Sequence, residues 1–577
     1  MKLALRTSSL ALAVAGVLAM GSASAAVRLS NEFDGIWSNP AESGRGAAVD
    51  YLPLADGSGV LSIGYYAYDA QGRPTWVLIA APMKEFAFTA TAVPVNAFAG
   101  GSFGTFTAPG PGTQVGTANI TVNSCNSMSV TFTMTPASGL TGTTVNLQPF
   151  FENPSCAYTK TFTACPSFST AVPAFGARSC QLSGNLLSNE FKLTNDITWV
   201  LEGKVGVGGD NTTPATLRIE PGTLLVGTGD TFDHLAINRG SRIFAEGTRD
   251  APIILTSPFE LPGFAGNPNP KDIGGFVISG NAPANCNPNC VAEWDPTNRY
   301  GGTNAADNSG VVRYMQVRYA GFIFTTNREL NSFTFNAVGS GTTLEYLQSY
   351  RGGDDGLEFF GGTANVKYFI DSCGGDDSID WDEGFSGKMQ YALANQRGCD
   401  GQDHGFEVSN SPTNFDATPR SRPTIANVTL RGGGGGSRDG FNIKDGTGGN
   451  WFNVLATGYS RACARIEGLP TQTASGPTAT LTGALTLQNS IVSCTTNFGD
   501  GTGVTPGYTA AWFAAQAGNE ARALNLTGFL PSATSNVTGK NFVPTSDWFE
   551  PTDFAGAFRS NDPKDNWTTG WTYRINE

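Results

Sequence analysis

Four short segments repeat one arrangement of acids: GDDGLEFF at 353–360, GDDSIDWD at 375–382, QDHGFEVS at 402–409 and SRDGFNIK at 437–444. Aligned, one column reads Asp355, Asp377, His404, Asp439. The column before it reads Asp354, Asp376, Asp403, Arg438. Three residues after the first column come Glu358, Asp380, Glu407, Asn442. If each segment is one coil of a repeating fold, like positions stack at about 4.8 Å. Acid then lies on acid, so carboxyl pKa values must rise or a cation must sit between them. Three uses compete. Asp and Asn side chains can cap turns by accepting backbone N–H groups, with Gly after Asp permitting a sharp bend. Carboxylates from adjacent coils can hold Ca²⁺, with Asp354, Glu358, Asp376 and Asp380 as the expected ligands. Stacked acids of split pKa can also hydrolyse a glycosidic bond, one carboxyl donating to the leaving oxygen while another activates water.

The segments around the ladder decide what positions it. The apolar columns Leu357, Ile379, Phe406, Phe441 and Phe359, Trp381, Val408, Ile443 alternate with the polar ones, as a strand with one buried face demands. ATLRIEPGTLLVG (215–227), HLAINRGSRIFAEGT (234–248) and APIILTS (251–257) are further short strands closed by Gly, Asn or Ser. Repeats of roughly 20 residues, 73 glycines and few long amphipathic helical patterns predict a parallel β-helix, whose coils bury their apolar faces by stacking. Upstream, GVLSIGYYAYDAQGRPTWVLIAAP (59–82) predicts a hairpin turning at DAQGRP. The expected fold is all-β, a right-handed parallel β-helix over 189–577 preceded by a small antiparallel β domain over 26–151. Residues 152–188, rich in Cys, Pro and Ser, are expected to be a linker.

The opening GIWSNPAESGRGAAVDYLP (35–53) and the hairpin motif Tyr68-Asp69-x-x-Gly72-x-Pro74-x-Trp76 together resemble a small accessory β domain of secreted gammaproteobacterial proteins. From LRIEPGTLLVG onward, through GGFVISGNAP (274–283), YGGTNAADNSGVVRYMQVRYAG (300–321) and WFEPTDFAGAF (548–558), the chain resembles a family of secreted β-helix surface proteins of Bacteroidetes and Proteobacteria. That resemblance implies a fold and a location, not a reaction. The ladder is also similar, locally, to the polygalacturonases, β-helices whose coils carry Asn-Thr-Asp, Asp-Asp, Gly-His-Gly and Arg-Ile-Lys. On that resemblance Asp355, Asp376, Asp377, His404 and Lys444 would be catalytic, and Asp380, Trp381, Glu407 and Arg438 would meet the substrate. Lys444 would hold an acidic sugar's carboxylate and His404 would tune an acid. The chain departs from the pattern: Gly353-Asp354 replaces Asn-Thr, Asp403 replaces the first Gly, and Asn442 replaces the Arg. Phe360, Trp381 and Phe385 lie near the acids as a sugar platform would, although alternation puts Trp381 in an apolar column.

Lys2 and Arg6, the apolar run 9–20 and small residues ending at Ala25 predict a Sec signal peptide over 1–25 and a secreted, surface or periplasmic protein. No later stretch is long and apolar enough to span a bilayer. The net charge of −13 argues against nucleic-acid or anionic-lipid partners. Ten cysteines in an oxidising compartment predict disulfides, with nearest-neighbour pairs Cys125–Cys156, Cys165–Cys180, Cys286–Cys290, Cys373–Cys399 and Cys463–Cys494. The two histidines, His234 and His404, exclude a His-rich metal site. His234 reads as a turn residue, and RGGGGGSRDG (431–440) lacks the Lys-Ser/Thr of a phosphate loop. The leading expectation is a monomeric protein that binds an extracellular polymer, a polysaccharide above all. It requires no cofactor, with Ca²⁺ as a candidate structural ion. A polysaccharide hydrolase and a structural adhesin are the alternatives.

Overall fold

A computed structural model of the protein describes residues 28–29, 33–53, 59–98, 112–151, 162–229, 232–325, 328–399, 402–433, 436–476, 483–544 and 546–575. The expected signal peptide and Cys156 lie outside the described residues.

The N-terminal part is a closed antiparallel barrel of eight strands. Gly35–Ser38 closes it by pairing with both Gly46–Pro53 and Thr144–Pro149. The expected hairpin forms between Gly59–Tyr68 and Pro74–Pro82, with Tyr68 opposite Pro74. Alternation sends Leu61, Ile63, Tyr65, Val77, Ile79 and Ala81 inward, and they form one core with Val130 and Phe132.

The remainder is a stack of parallel strands. Its first rung is Ser179–Leu186, paired in parallel with Thr198–Val207 and covered by the short strand Thr170–Ala171. The boundary expected at 188/189 therefore falls inside the stack. Residues 162–178 cap it: Phe168 stacks on Trp199 at 6.0 Å, and Cys165–Cys180 fastens the cap to the first rung. An apolar coil end must be covered, and the cap does so. Disulfides Cys286–Cys290, Cys373–Cys399 and Cys463–Cys494 also form as expected.

Two features fix the coils that carry the acids. Phe335, Phe359, Trp381, Phe406, Phe441 and Trp451 stack inside them, Trp381 and Trp451 at 5.3 Å. On a second wall, Tyr314, Tyr346, Tyr368 and Tyr391 occupy equivalent positions, each in the left-handed backbone region. Their rings pile up at 4.2, 4.3 and 5.0 Å, an ordered packing gain at a conformation that side chains otherwise avoid. The C-terminal segment runs back over this wall, where Trp571 meets Tyr314 and Tyr346 edge-on. The barrel docks against the stack through a buried network: Arg318 pairs with Glu85 at 3.0 Å and Glu260 at 2.9 Å, and Arg28 reaches Glu85 at 2.7 Å.

Candidate functional site

Six parallel strands carry the ladder: Phe333–Asn336, Leu357–Phe360, Ile379–Asp382, His404–Val408, Asp439–Ile443 and Ala462–Ile466. Their register stacks Thr334, Glu358, Asp380, Glu407, Asn442 and Arg465 in one column, which contains the four residues aligned from sequence. A rung precedes those four and another follows them.

The neighbouring column explains why acids recur. The Asp355 N–H donates to Asn331 Oδ1 at 3.3 Å. The Asp377 N–H donates to Asp355 Oδ1 at 3.0 Å, and the His404 N–H to Asp377 Oδ1 at 2.7 Å. Each side chain thus caps the backbone bend of the next coil. Asp355, Asp377 and His404 are accordingly only 7%, 4% and 4% exposed. They converge in space, but buried, Asp355 and Asp377 as caps and His404 as the partner of Asp377, rather than as groups on an open groove, which is a correction to the catalytic placement expected for them. Of the other expected catalytic residues, Asp376 is exposed and Lys444 is half-buried.

Charge is divided unevenly along the ladder. At its C-terminal end every acid has a cation. His404 places Nδ1 2.9 Å from Asp377, and Nε2 3.3 Å from Asp403 and 3.4 Å from Asp439. Bonds to Asp377 and Asp439 outweigh the cost of burial and push its pKa up to about 10, so it carries charge. Arg461 Nε donates to Asp439 at 2.9 Å, Arg438 pairs with Asp403 at 2.9 Å, and Lys444 pairs with Glu407 at 2.6 Å. Glu407 also accepts from Asn442 Nδ2 at 2.8 Å, so its oxygens are committed within the protein.

At the N-terminal end no salt bridge to the acids is seen among the described residues, although the Lys271 side chain packs against Gly353 beside them and Lys444 acts on Asp380 from the next rungs. Carboxylate oxygens of Asp354, Asp355 and Asp376 lie within 4.8 Å of one another, and so do those of Asp355, Glu358 and Asp380. The two triads share Asp355, which was not among the expected calcium ligands, and together they contain all four that were. Burial and then neighbouring carboxylates push Asp354 and Asp355 far above the usual carboxylate range. Burial and the Asp380 charge do the same to Glu358, against a bond from Asn331. Asp376 is exposed as a residue, but its carboxyl end sits among the neighbouring acids, where lost hydration, then Asp377 and Glu407, raise it to about 7. Beside these lie Glu293, raised to about 7 by burial and Glu329, and Glu383, raised to about 7 by burial against a bond from the Tyr300 hydroxyl.

Trp381 does not face a substrate. It is 0% exposed, between Phe406 and Trp451, and its Nε1–H donates to Thr447 at 3.1 Å. Phe385 is also buried, 4.0 Å from Phe359. Strand alternation carries position 381 inward, and that overrides its closeness to the acids in sequence. Arg438 is exposed beside the acids, as a substrate contact would be. Sequence reasoning missed Asn331, Arg461, Glu293, Glu383 and Tyr300. Asn331 alone had a signal: Asn-Ser-Phe-Thr-Phe at 331–335 repeats the alternation of Asp-Gly-Leu-Glu-Phe at 355–359.

Residues 184–572 match a family described as a pectate-lyase-like β-helix domain. No curated protein and no solved structure matches the chain.

Proposed function

The chain belongs to the pectate-lyase-like β-helix family, and from that premise we propose that it is a secreted or cell-surface protein that binds an extracellular polysaccharide, with Ca²⁺ held on its acidic face. The uneven charge of the ladder carries this reading. His404, Arg438, Lys444 and Arg461 neutralise the C-terminal rungs. Asp354, Asp355, Glu358, Asp376 and Asp380 crowd within two triads whose dominant influences are burial and like charge. Hard oxygen ligands in that number suit Ca²⁺, and extracellular calcium is abundant enough for a weak site. The disulfides fit the same compartment. A bound cation also reverses the local field, so an acidic polymer could approach a face that otherwise repels it.

Calorimetric titration of the EDTA-stripped mature chain with CaCl₂ tests the ion site. Saturable binding, weakened at least about tenfold (about 1.4 kcal/mol) by Asp355→Asn or Asp380→Asn, is expected. Absence of binding overturns it. Retardation of the chain in gels containing soluble polysaccharides, with Ca²⁺ and with EDTA, tests the polymer.

The hydrolytic alternative draws support from Asp376, an exposed acid raised to about 7, where a general acid works best. Inversion would need a second open carboxyl roughly 6.5–9.5 Å away. Reducing-end release from the same polysaccharides, lost in Asp376→Asn, separates this alternative from binding alone.

A further inference from the structure

We propose that the open end of the N-terminal barrel is a saccharide site taking a pyranose ring, separate from the acidic face of the helix. A cavity of about 380 Å³ lies there. Ligand sites commonly span about 300–1,000 Å³ and recur at the mouths of β-barrels. The two sequence motifs that mark this domain, which lie apart in the chain, meet at it. Arg45 comes from the first; Tyr68, Asp69 and Trp76 come from the second.

The lining is amphipathic in a particular way. Tyr65 and Phe132, with ring centroids 5.1 Å apart, form an apolar floor. Tyr68 and Trp76 stand at the rim, 46% and 44% exposed. Trp76 is held flat against Phe98, at 5.4 Å and 12°. Large aromatic side chains left half in water at a concave site mark a binding surface more than a folding core.

The polar groups narrow the ligand class. The Asp69 carboxylate is spent in its own turn, accepting from the N–H groups of Gln71 and Arg73 at 2.9 Å each and from Arg73 Nε at 2.7 Å. Arg45 makes a long contact to Glu42, 3.5 Å, and hydrogen-bonds the Tyr65 side chain. The rim therefore offers the remaining N–H groups of the Arg45 guanidinium and the hydroxyls of Tyr68 and Thr75 as hydrogen-bonding groups. A wholly apolar guest would strip water from the remaining N–H groups of Arg45 and offer no acceptor in return. A polyanion would find one cation. A pyranose ring, with apolar C–H faces and a belt of hydroxyls, meets both the aromatic surfaces and the donors. The inference stands on the barrel alone and needs neither Ca²⁺ nor the ladder.

The test uses the full mature chain in EDTA, with fluorescence polarisation of end-labelled tetrasaccharides from cellulose, chitin, xylan and polygalacturonate. At least one probe should bind. Arg45→Ala and Trp76→Ala should each weaken it at least about tenfold, while Asp380→Asn leaves it unchanged. Arg45 is exposed, so its variant keeps the test valid if Trp76→Ala disturbs the barrel; thermal melts of both report this. Absence of binding by every probe in EDTA, or binding indifferent to both rim variants or abolished by Asp380→Asn, would overturn the inference. Calcium-dependent retention of polymer in that event would leave the reading of the helix intact.

Discussion

Asp377 holds His404 twice through one oxygen: Oδ1 accepts the backbone N–H at 2.7 Å and the imidazole Nδ1–H at 2.9 Å. The first bond repeats the cap that Asp355 provides for Asp377. The second adds a buried ion pair to it. Removing one partner of such a pair leaves the other charge buried and alone, at a cost of about 3–5 kcal/mol. Asp377→Ala should therefore lower stability by that order in urea denaturation. Asp377→Asn, which keeps an acceptor for the backbone, should cost less. A residue serving turnover alone would lose activity and keep its stability.

The acidic end of the ladder predicts a linked dependence on pH and calcium. Asp382 is raised to about 6, and Asp376, Glu293 and Glu383 to about 7, from ordinary values of 3.8 or 4.5, chiefly by burial. The folded chain thus binds these protons more tightly than the unfolded chain. Their contribution is whole below about pH 4 and is lost as pH rises through 6 to 7. His404 acts in the same direction at higher pH, its contribution complete below about 6.5 and gone above about 10. In EDTA, Tm should fall between pH 5 and 8. Added Ca²⁺ should restore it at pH 8 and do little at pH 5, where protons already hold the carboxyls. A calcium response equal at both pH values would contradict the assignment.

The register of Glu358, Asp380, Glu407 and Asn442 was legible because one alternation of polar and apolar residues recurs in all four segments. Asn331 carries the same alternation without charge or a following Gly, so its rung did not stand out. The last rung, Ala462 to Ile466, puts Ala464 where the earlier rungs carry Leu, Ile or Phe, which breaks one apolar column. Whether a carboxylate turns back to cap the next coil or opens to solvent depends on the bend of the chain, which one-dimensional spacing does not encode. Asp376 and Asp377 illustrate this: they are neighbours in sequence, one exposed and one buried. The cap formed by residues 162–178 was hidden for a related reason. Pro, Ser and Cys mark irregular backbone equally in a linker and in a lid over a coil.

Trp381 and Arg438 were both expected at a substrate surface, and they should now separate. Trp381 fills the interior against Phe406 and Trp451, so Trp381→Ala should destabilise the chain by about 3–5 kcal/mol. Arg438 pairs with Asp403 from an exposed position, and Arg438→Ala should change stability by less than about 1 kcal/mol. If the acidic face binds polymer, the same substitution should alter retention in polysaccharide gels.

Gln348 and Tyr573 exchange two hydrogen bonds, Nε2–H to the Tyr573 carbonyl and the Tyr573 N–H to Oε1, both at 2.7 Å. Gln390 does the same for Glu550, with both bonds at 2.8 Å. Asn395, Asn427 and Asn453 donate to the carbonyls of Ile575, Phe554 and Lys540. Amide side chains, each offering a donor and an acceptor, thus stand in for a neighbouring strand and hold the C-terminal segment over the tyrosine stack. Gln348→Leu removes both bonds and strands a buried N–H and C=O, at about 1–3 kcal/mol each. Trp571→Ala opens the contact with Tyr314 and Tyr346, at about 3–5 kcal/mol. The segment lies over the coils rather than within their strand pairing, so either variant should first expose it locally. Limited proteolysis should then clip residues 546–575 before the β-helix melts. A single cooperative transition with no early cleavage would show instead that the segment and the coils unfold as one unit.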